Sequence, residues 1–140
     1  MDYSSSGDVE KSLDLTEQLM LGYYIEYGLS WERAKRRELL ESAEHYHILD
    51  GDDFLGFFAF FKKEDHLYVC DLQLLPKYQN KGIGGAAIRF IIGEASSLNL
   101  KFIKLSVFKS NNAAMKFYQK RGFTVTEEGS MNFRLSYAIT

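Results

Sequence analysis

Between Leu67 and Leu98 the chain reads LYVCDLQLLP, KYQNKGIGG and AAIRFIIGEASSL. Tyr68, Cys70, Leu72 and Leu74 alternate with Val69, Asp71 and Gln73, after Leu67. That period of two predicts a strand over Leu67 to Leu75 with 68, 70, 72 and 74 on its apolar face. Pro76, the only proline, ends it, because proline has no N–H to give to a ladder. Ile83, Ala87, Phe90, Ile91 and Ala95 then recur at helical spacing. Between strand and helix lie Gly82, Gly84 and Gly85. Glycine lets the backbone approach a ligand closely and turn its N–H groups inward. At the opening of a helix those donors meet the positive end of the macrodipole, which makes an anion site suited to phosphate or pyrophosphate. The plain alternative is a strand–loop–helix connection whose glycines serve only to turn.

Three phosphate-loop templates can be laid over this stretch. A Walker loop ends in Gly-Lys-Ser/Thr, which Gly84-Gly85-Ala86 lacks. The dinucleotide fingerprint is nominally met by Gly82, Gly84 and Ala87. Its context fails, because Pro76 to Lys81 separate it from the strand and the next strand ends at Val107-Phe108-Lys109 without a carboxylate. The third template fits. Gln79-Asn80-Lys81-Gly82-Ile83-Gly84 reads Q-x-x-G-x-G after an L-x-L-x-P strand end, and so resembles the acyl-CoA-binding segment of the GNAT superfamily of N-acetyltransferases.

Length and composition bound the rest. At 140 residues one domain over 1–140 is expected, and burial of about two-thirds of the unfolded surface allows a real core. An apolar content of 46% with 15% aromatics excludes disorder as the main state. A net charge of −2 gives no basic excess for nucleic acid. The single cysteine, Cys70, has no partner for an internal disulfide, as befits a reducing compartment. Met1 to Asp14 is polar and acidic, without a signal-peptide pattern, and the longest apolar run, Phe54 to Phe61, is too short for a bilayer. A cytoplasmic protein without membrane or nucleic-acid partners, a monomer or homodimer, is the expectation.

In chain order, Met1 to Ser12 reads as a frayed terminus or a short first strand. Asp14 to Gly28 reads as a helix with Leu15, Leu19 and Tyr23 on one face and Gly28 past its end. Ser30 is placed to cap a second, charge-rich surface helix from Trp31 to about Glu44, with a narrow stripe of Trp31, Ala34, Leu39 or Leu40, and Ala43. His45 to Leu49 and Phe54 to Lys62 form a hairpin across Asp50-Gly51-Asp52-Asp53; the run of phenylalanines marks the second as a central strand. Lys63 to His66 turns into the Leu67 strand. After the glycine helix come a strand from Lys101 to Phe108, a helix capped by Ser110 or Asn111 and running to Arg121, and strands from Phe123 and over Met131 to Ile139. Strands 67–75 and 101–108 joined by one helix are a parallel βαβ unit, flanked by antiparallel hairpins. The fold class is therefore α/β (α+β).

The second half extends the resemblance. Leu105-x-Val107 followed by Asn111-x-x-Ala114-x-x-Phe117-Tyr118-x-x-x-Gly122-Phe123 is similar to the family's N-x-x-A-x-x-F-Y-x-x-x-G-F block. The two blocks span Tyr68 to Phe123 in the family's order and spacing; the first 45 residues match no motif. What the resemblance implies is a mixed, mostly antiparallel sheet with splayed central strands and helices on both faces. It implies acetyl-CoA as cosubstrate, no metal, and transfer of the acetyl group to a primary amine by direct attack in a ternary complex. The amides of Leu72 and Leu74 would pair with the pantetheine arm, and the Leu72 amide would hold the acetyl carbonyl as an oxyanion donor. Loss of such a donor costs about 10² to 10³ in rate. Gln79, Asn80, Lys81, Gly82, Ile83, Gly84 and Gly85 would hold the pyrophosphate. Asn111, Ala114, Phe117 and Tyr118 complete the cofactor contacts, with Tyr118 as the general acid for the CoA thiolate. Read without the motif, Tyr118 is an amphipathic core tyrosine.

The base is left open. Some family members carry a glutamate on the strand before the glycine loop, where this chain has Tyr68; others carry one five residues before the asparagine, where it has Ser106. Asp71, His66, Glu26 and a water chain remain, with Asp71 otherwise a solvated residue or salt-bridge partner and His66 a turn residue. The missing glutamates favour a second reading, a non-catalytic acyl-CoA-binding regulatory module of the same fold. Cys70 reads as a small buried hydrophobe rather than a nucleophile, and His45, His47 and His66 lack metal-binding spacing. Tyr23, Tyr24, Glu26, Tyr27 and Trp31 would line the acceptor site, or else pack as ordinary core.

Overall fold

The structure is a computed structural model that describes residues 1–5 and 7–140. Its elements run β1 (Asp2–Ser4), α1 (Val9–Glu26), α2 (Arg33–Ser42), β2 (Glu44–Asp50), β3 (Asp53–Lys62), β4 (His66–Leu74), a 3-10 turn (Pro76–Tyr78), α3 (Ile83–Ser97), β5 (Phe102–Phe108), α4 (Asn112–Lys120), β6 (Thr124–Glu128) and β7 (Asn132–Ala138). Seven strands are hydrogen-bonded in the order β1-β2-β3-β4-β5-β7-β6. The β4–β5 pair is parallel, and the β1–β2, β2–β3, β5–β7 and β6–β7 pairs are antiparallel. The expected mixed sheet around a parallel βαβ unit is therefore present. The chain falls into two compact units, Met1–Phe61 with Asp71–Gly84, and Lys62–Cys70 with Gly85–Thr140.

In the first unit, β1 is the short strand that the terminus allowed, and α1 starts five residues before the expected Asp14. The Asp8 side chain accepts from the Glu10 N–H at 2.8 Å, an N-cap that apolar periodicity alone does not register because the first buried leucine is Leu13. Ser6 of that terminal stretch lies outside the described residues. The second helix is shorter than expected, and Glu32 rather than Ser30 takes its N-cap position without a side-chain bond. Its anchorage is ionic instead. Arg33 reaches Glu10 and Asp14 at 2.8 Å and Glu17 at 3.4 Å on α1, and Arg37 reaches Glu10 at 2.8 Å. Leu55 to Phe60 of β3 are buried on both faces, as the phenylalanine run foretold.

In the second unit, the β4–β5 ladder covers His66–Tyr68 opposite Phe102–Lys104. It ends there, although β5 runs on to Phe108 and stays paired with β7 along its whole length. Ile103, Leu105 and Val107 of β5, Leu135 of β7, and Ala87, Ile88, Ile91 and Ala95 of α3 are buried. Asn111 caps α4 through its side-chain oxygen, which accepts from the Ala114 N–H at 3.1 Å.

One expectation for β4 is overturned. Leu67, Val69 and Asp71 are the buried residues, while Tyr68, Cys70, Leu72 and Leu74 are half-buried. A strand inside a sheet is covered on both faces, so counting apolar side chains selects the wrong one when the more buried face carries a charge. Cys70, for the same reason, is not fully buried.

Candidate functional site

The first unit supplies the strand end and the glycine loop. Leu75 N donates to Leu55 O at 2.9 Å, so that residue faces β3. Successive residues of a strand present their N–H groups to alternate edges, which turns the amides of Leu74 and Leu72 toward the opposite edge. Gln79 donates through Nε2 to the Leu74 carbonyl at 3.1 Å, tying the first loop residue back to the strand. Asn80 and Gly82 both take left-handed backbone, φ 61° and 83°, and Gln79 through Gly82 are exposed. A Cβ on Gly82 would meet nothing within 4 Å, so the position needs glycine for its backbone angle and not for space. Left-handed residues just before a helix gather successive N–H groups into an anion-binding concavity. Gly84 is buried in the opening turn of α3.

Asp71, next to Leu72, is not a solvated carboxylate. Its side chain is 3% exposed and pairs with Arg36 of α2, and Gln73 Nε2 donates to its other oxygen at 3.3 Å. Burial raises the carboxyl above its ordinary range, and the Arg36 and Gln73 bonds pull it back. Of the aromatic acceptor set, Tyr23, Tyr24, Tyr27 and Trp31 are half-buried and Glu26 is exposed. Trp31 packs edge-on against Tyr24 at 5.4 Å. Its Nε1 is buried and has no hydrogen-bond partner among the described residues, a donor that a bound molecule or water would satisfy.

The second unit supplies Gly85, Asn111, Ala114, Phe117 and Tyr118. The Asn111 oxygen is committed to its cap, accepting from the Ala114 N–H, and its amide N–H groups are the donors that remain on that side chain. Tyr118 is 8% exposed, with its ring edge-on to Phe117 at 4.9 Å and to Phe123 at 5.3 Å. The two positions that carry a glutamate in some members of the resembled family hold hydroxyls here, and those hydroxyls meet: Tyr68 donates to Ser106 Oγ at 3.2 Å. His66 opens β4, with Nδ1 2.7 Å from Asp65 Oδ1. Arg121 was not singled out as a site residue from sequence, yet its guanidinium rests on the Phe117 ring, 3.9 Å from the centroid. The only signal for it was the Phe117–Arg121 spacing of one helical turn. Among the described residues no group of three or more metal-ligating side chains is gathered, and no helix is long and apolar enough to cross a membrane.

Residues 13–123 match the family model described as the Acetyltransferase (GNAT) family. Acetyltransferase PseH of Campylobacter jejuni is 27% identical over 112 residues, covering 79% of this chain and 70% of that protein. Among solved structures, the PaiA N-acetyltransferase of Thermoplasma acidophilum in complex with coenzyme A superposes with a TM-score of 0.78 at 16% identity, covering 98% of both chains. A Bacillus subtilis acetyltransferase in complex with CoA gives 0.77 at 18% identity, covering 99% of this chain and 97% of that one.

Proposed function

This chain belongs to the GNAT acetyltransferase family, and on that premise we propose that it transfers the acetyl group of acetyl-CoA to a primary amine of a small molecule or protein by direct attack in a ternary complex. The observation that carries the reading is the pair of left-handed residues, Asn80 and Gly82, directly before α3, at the segment where the family model and the Q-x-x-G-x-G motif coincide. The CoA seen with the structural relatives supports the choice of cosubstrate. In this reading, Gln79 through Gly85 hold the pyrophosphate, and Leu74 and Asn111 hold the pantetheine arm. The Leu72 amide stabilises the oxyanion that forms on the acetyl carbonyl. Ala114 and Phe117 pack against the cofactor, and Tyr118 protonates the departing thiolate. Tyr24 and Trp31 flank the acceptor, with Glu26 as an exposed carboxylate nearby in sequence for a cationic amine.

A second reading, CoA binding without turnover, is favoured by the occupation of Asp71 by Arg36 and Gln73, which withdraws the most buried carboxylate from the role of base. Calorimetric titration with acetyl-CoA, CoA, ATP and NAD, followed by acetyl transfer across an amine panel, separates the two. A ligand at about 100 times its Kd stabilises by roughly 2.7 kcal/mol, a visible thermal shift. CoA-specific stabilisation with turnover supports the enzyme, and stabilisation without turnover supports the binding module. Absence of CoA binding sinks both.

A further inference from the structure

Arg36 lies one turn before Leu40 on α2, and Leu40 is fully buried. The helix is tied to α1 through Arg33 and Arg37, so Arg36 reaches β4 from a fixed support. There it pairs with Oδ2 of Asp71, whose side chain is 3% exposed. Gln73 Nε2 donates to Oδ1 of the same carboxylate at 3.3 Å. Side chains two residues apart on a strand share a face. Asp71 and Gln73 therefore bracket Leu72 and are joined to each other on the face opposite its side chain.

Stability alone gives no reason for this arrangement. Replacing a buried ion pair by apolar residues of similar volume often leaves stability unchanged or raises it. What the pair adds is a fixed place for the backbone that carries it. Leu75 N donates toward β3, so the Leu72 amide faces the other edge of β4. On that edge the ladder with β5 reaches only Tyr68, and it does not fix the peptide plane at Leu72. A donor that stabilises developing charge must sit within about 0.5 Å of its productive place, held there by supporting hydrogen bonds.

We propose that Arg36 is a positioning residue for acetyl transfer: acting through Asp71, it holds the Leu72 N–H where that group meets the acetyl carbonyl of acetyl-CoA. The proposal rests on the reading above that the Leu72 amide is the oxyanion donor. It gives the buried carboxylate beside that amide a task other than proton abstraction.

Arg36→Met alone strands the Asp71 charge, so the double variant R36M/D71N of the full chain carries the test. The readout is the carbonyl stretch of bound acetyl-CoA by isotope-edited infrared spectroscopy, which a hydrogen bond to the carbonyl lowers. Wild type is expected to lower it, and the double variant to return it toward the frequency of free acetyl-CoA. This readout needs binding only, with or without turnover. CoA, which lacks the carbonyl, is expected to bind both proteins equally in calorimetry, and the melting temperature of the double variant should stay near that of wild type. Its kcat should fall about tenfold, less than the 10² to 10³ or so that follows loss of a whole oxyanion donor. A carbonyl stretch lowered equally in both proteins would overturn the proposal. So would a kcat that recovers together with the melting temperature, or an equal loss of affinity for CoA and acetyl-CoA, because each makes the pair a support of the fold alone. Wild type that binds acetyl-CoA without lowering its carbonyl stretch would instead remove the Leu72 reading, and failure to bind acetyl-CoA would remove the premise.

Discussion

The hydroxyl of Tyr68 on β4 donates to Ser106 Oγ on β5 across 3.2 Å. Two hydroxyls thus meet where some relatives of this fold family carry a glutamate, and neither is a carboxylate that could take a proton from an ammonium group near neutral pH. In the proposed transfer the attacking amine would have to be neutral, and a lysine-like amine has an ordinary pKa near 10.4. The kcat/KM for such an amine is therefore expected to rise about tenfold per pH unit from pH 6 to roughly 8.5, following the free-amine fraction. A plateau beginning near pH 7 would show that a side chain of the enzyme performs the deprotonation.

The Arg36–Asp71 pair, 20% and 3% exposed at the side chains, joins α2 to β4 beside Leu72. Removing one partner strands the other charge in the interior, which costs about 3 to 5 kcal/mol. Arg36→Met should therefore lower the unfolding free energy by about that amount in urea titration. Adding Asp71→Asn should recover most of it, because no uncompensated charge then remains. Equal destabilisation by the single and double variants would mean that Arg36 acts through packing of its stem.

His45 on β2 faces Ser12 of α1, whose Oγ lies 2.7 Å from Nε2, and packs against His47 and Phe57. Burial, with a smaller push from His47 and a slight opposing pull from Asp8, lowers its pKa to about 4. The unfolded chain takes up the same proton near 6.5. Between those values the unfolded state binds more protons, so stability is full above about pH 6.5 and falls as pH drops toward 4. The loss is on the order of 3 kcal/mol, and His47, also lowered by burial, acts in the same direction. His45→Gln should flatten the fall in unfolding free energy between pH 7.5 and pH 5. An unchanged slope would assign the acid sensitivity to other groups.

Local chemistry and the parallel pairing of β4 with β5 were legible in the sequence, and side-chain partnerships between distant residues were not. A cap on α4 at Ser110 or Asn111, a glycine turn before α3 and a β3 buried on both faces each follow from a few neighbouring residues, and the structure has Asn111 as the cap, Gly82 in the turn and β3 so buried. The start of α1 was missed because its cap, Asp8, precedes the apolar periodicity by almost a turn and a half. The buried face of β4 was misread because Asp71 counts as polar until Arg36, distant in sequence, is brought to it. Arg121 reads from sequence only as the end of its own helix. Its placement depends on Gly85 in another helix, which no spacing rule within α4 encodes.

Tyr118 separates chemistry from packing. Its ring is held by Phe117 and Phe123, and phenylalanine keeps both contacts. Tyr118→Phe should therefore leave the melting temperature and the affinity for acetyl-CoA nearly unchanged. It removes only the hydroxyl that would protonate the leaving thiolate, a group with an ordinary pKa near 8.5. The expected fall in kcat is roughly 10², within the range that positioned acid catalysis supplies. The loss should shrink as pH rises above about 8.5, because a thiolate that is stable in solution needs no acid. A normal kcat in the variant would take Tyr118 out of the mechanism and leave it the packing tyrosine that its burial alone describes.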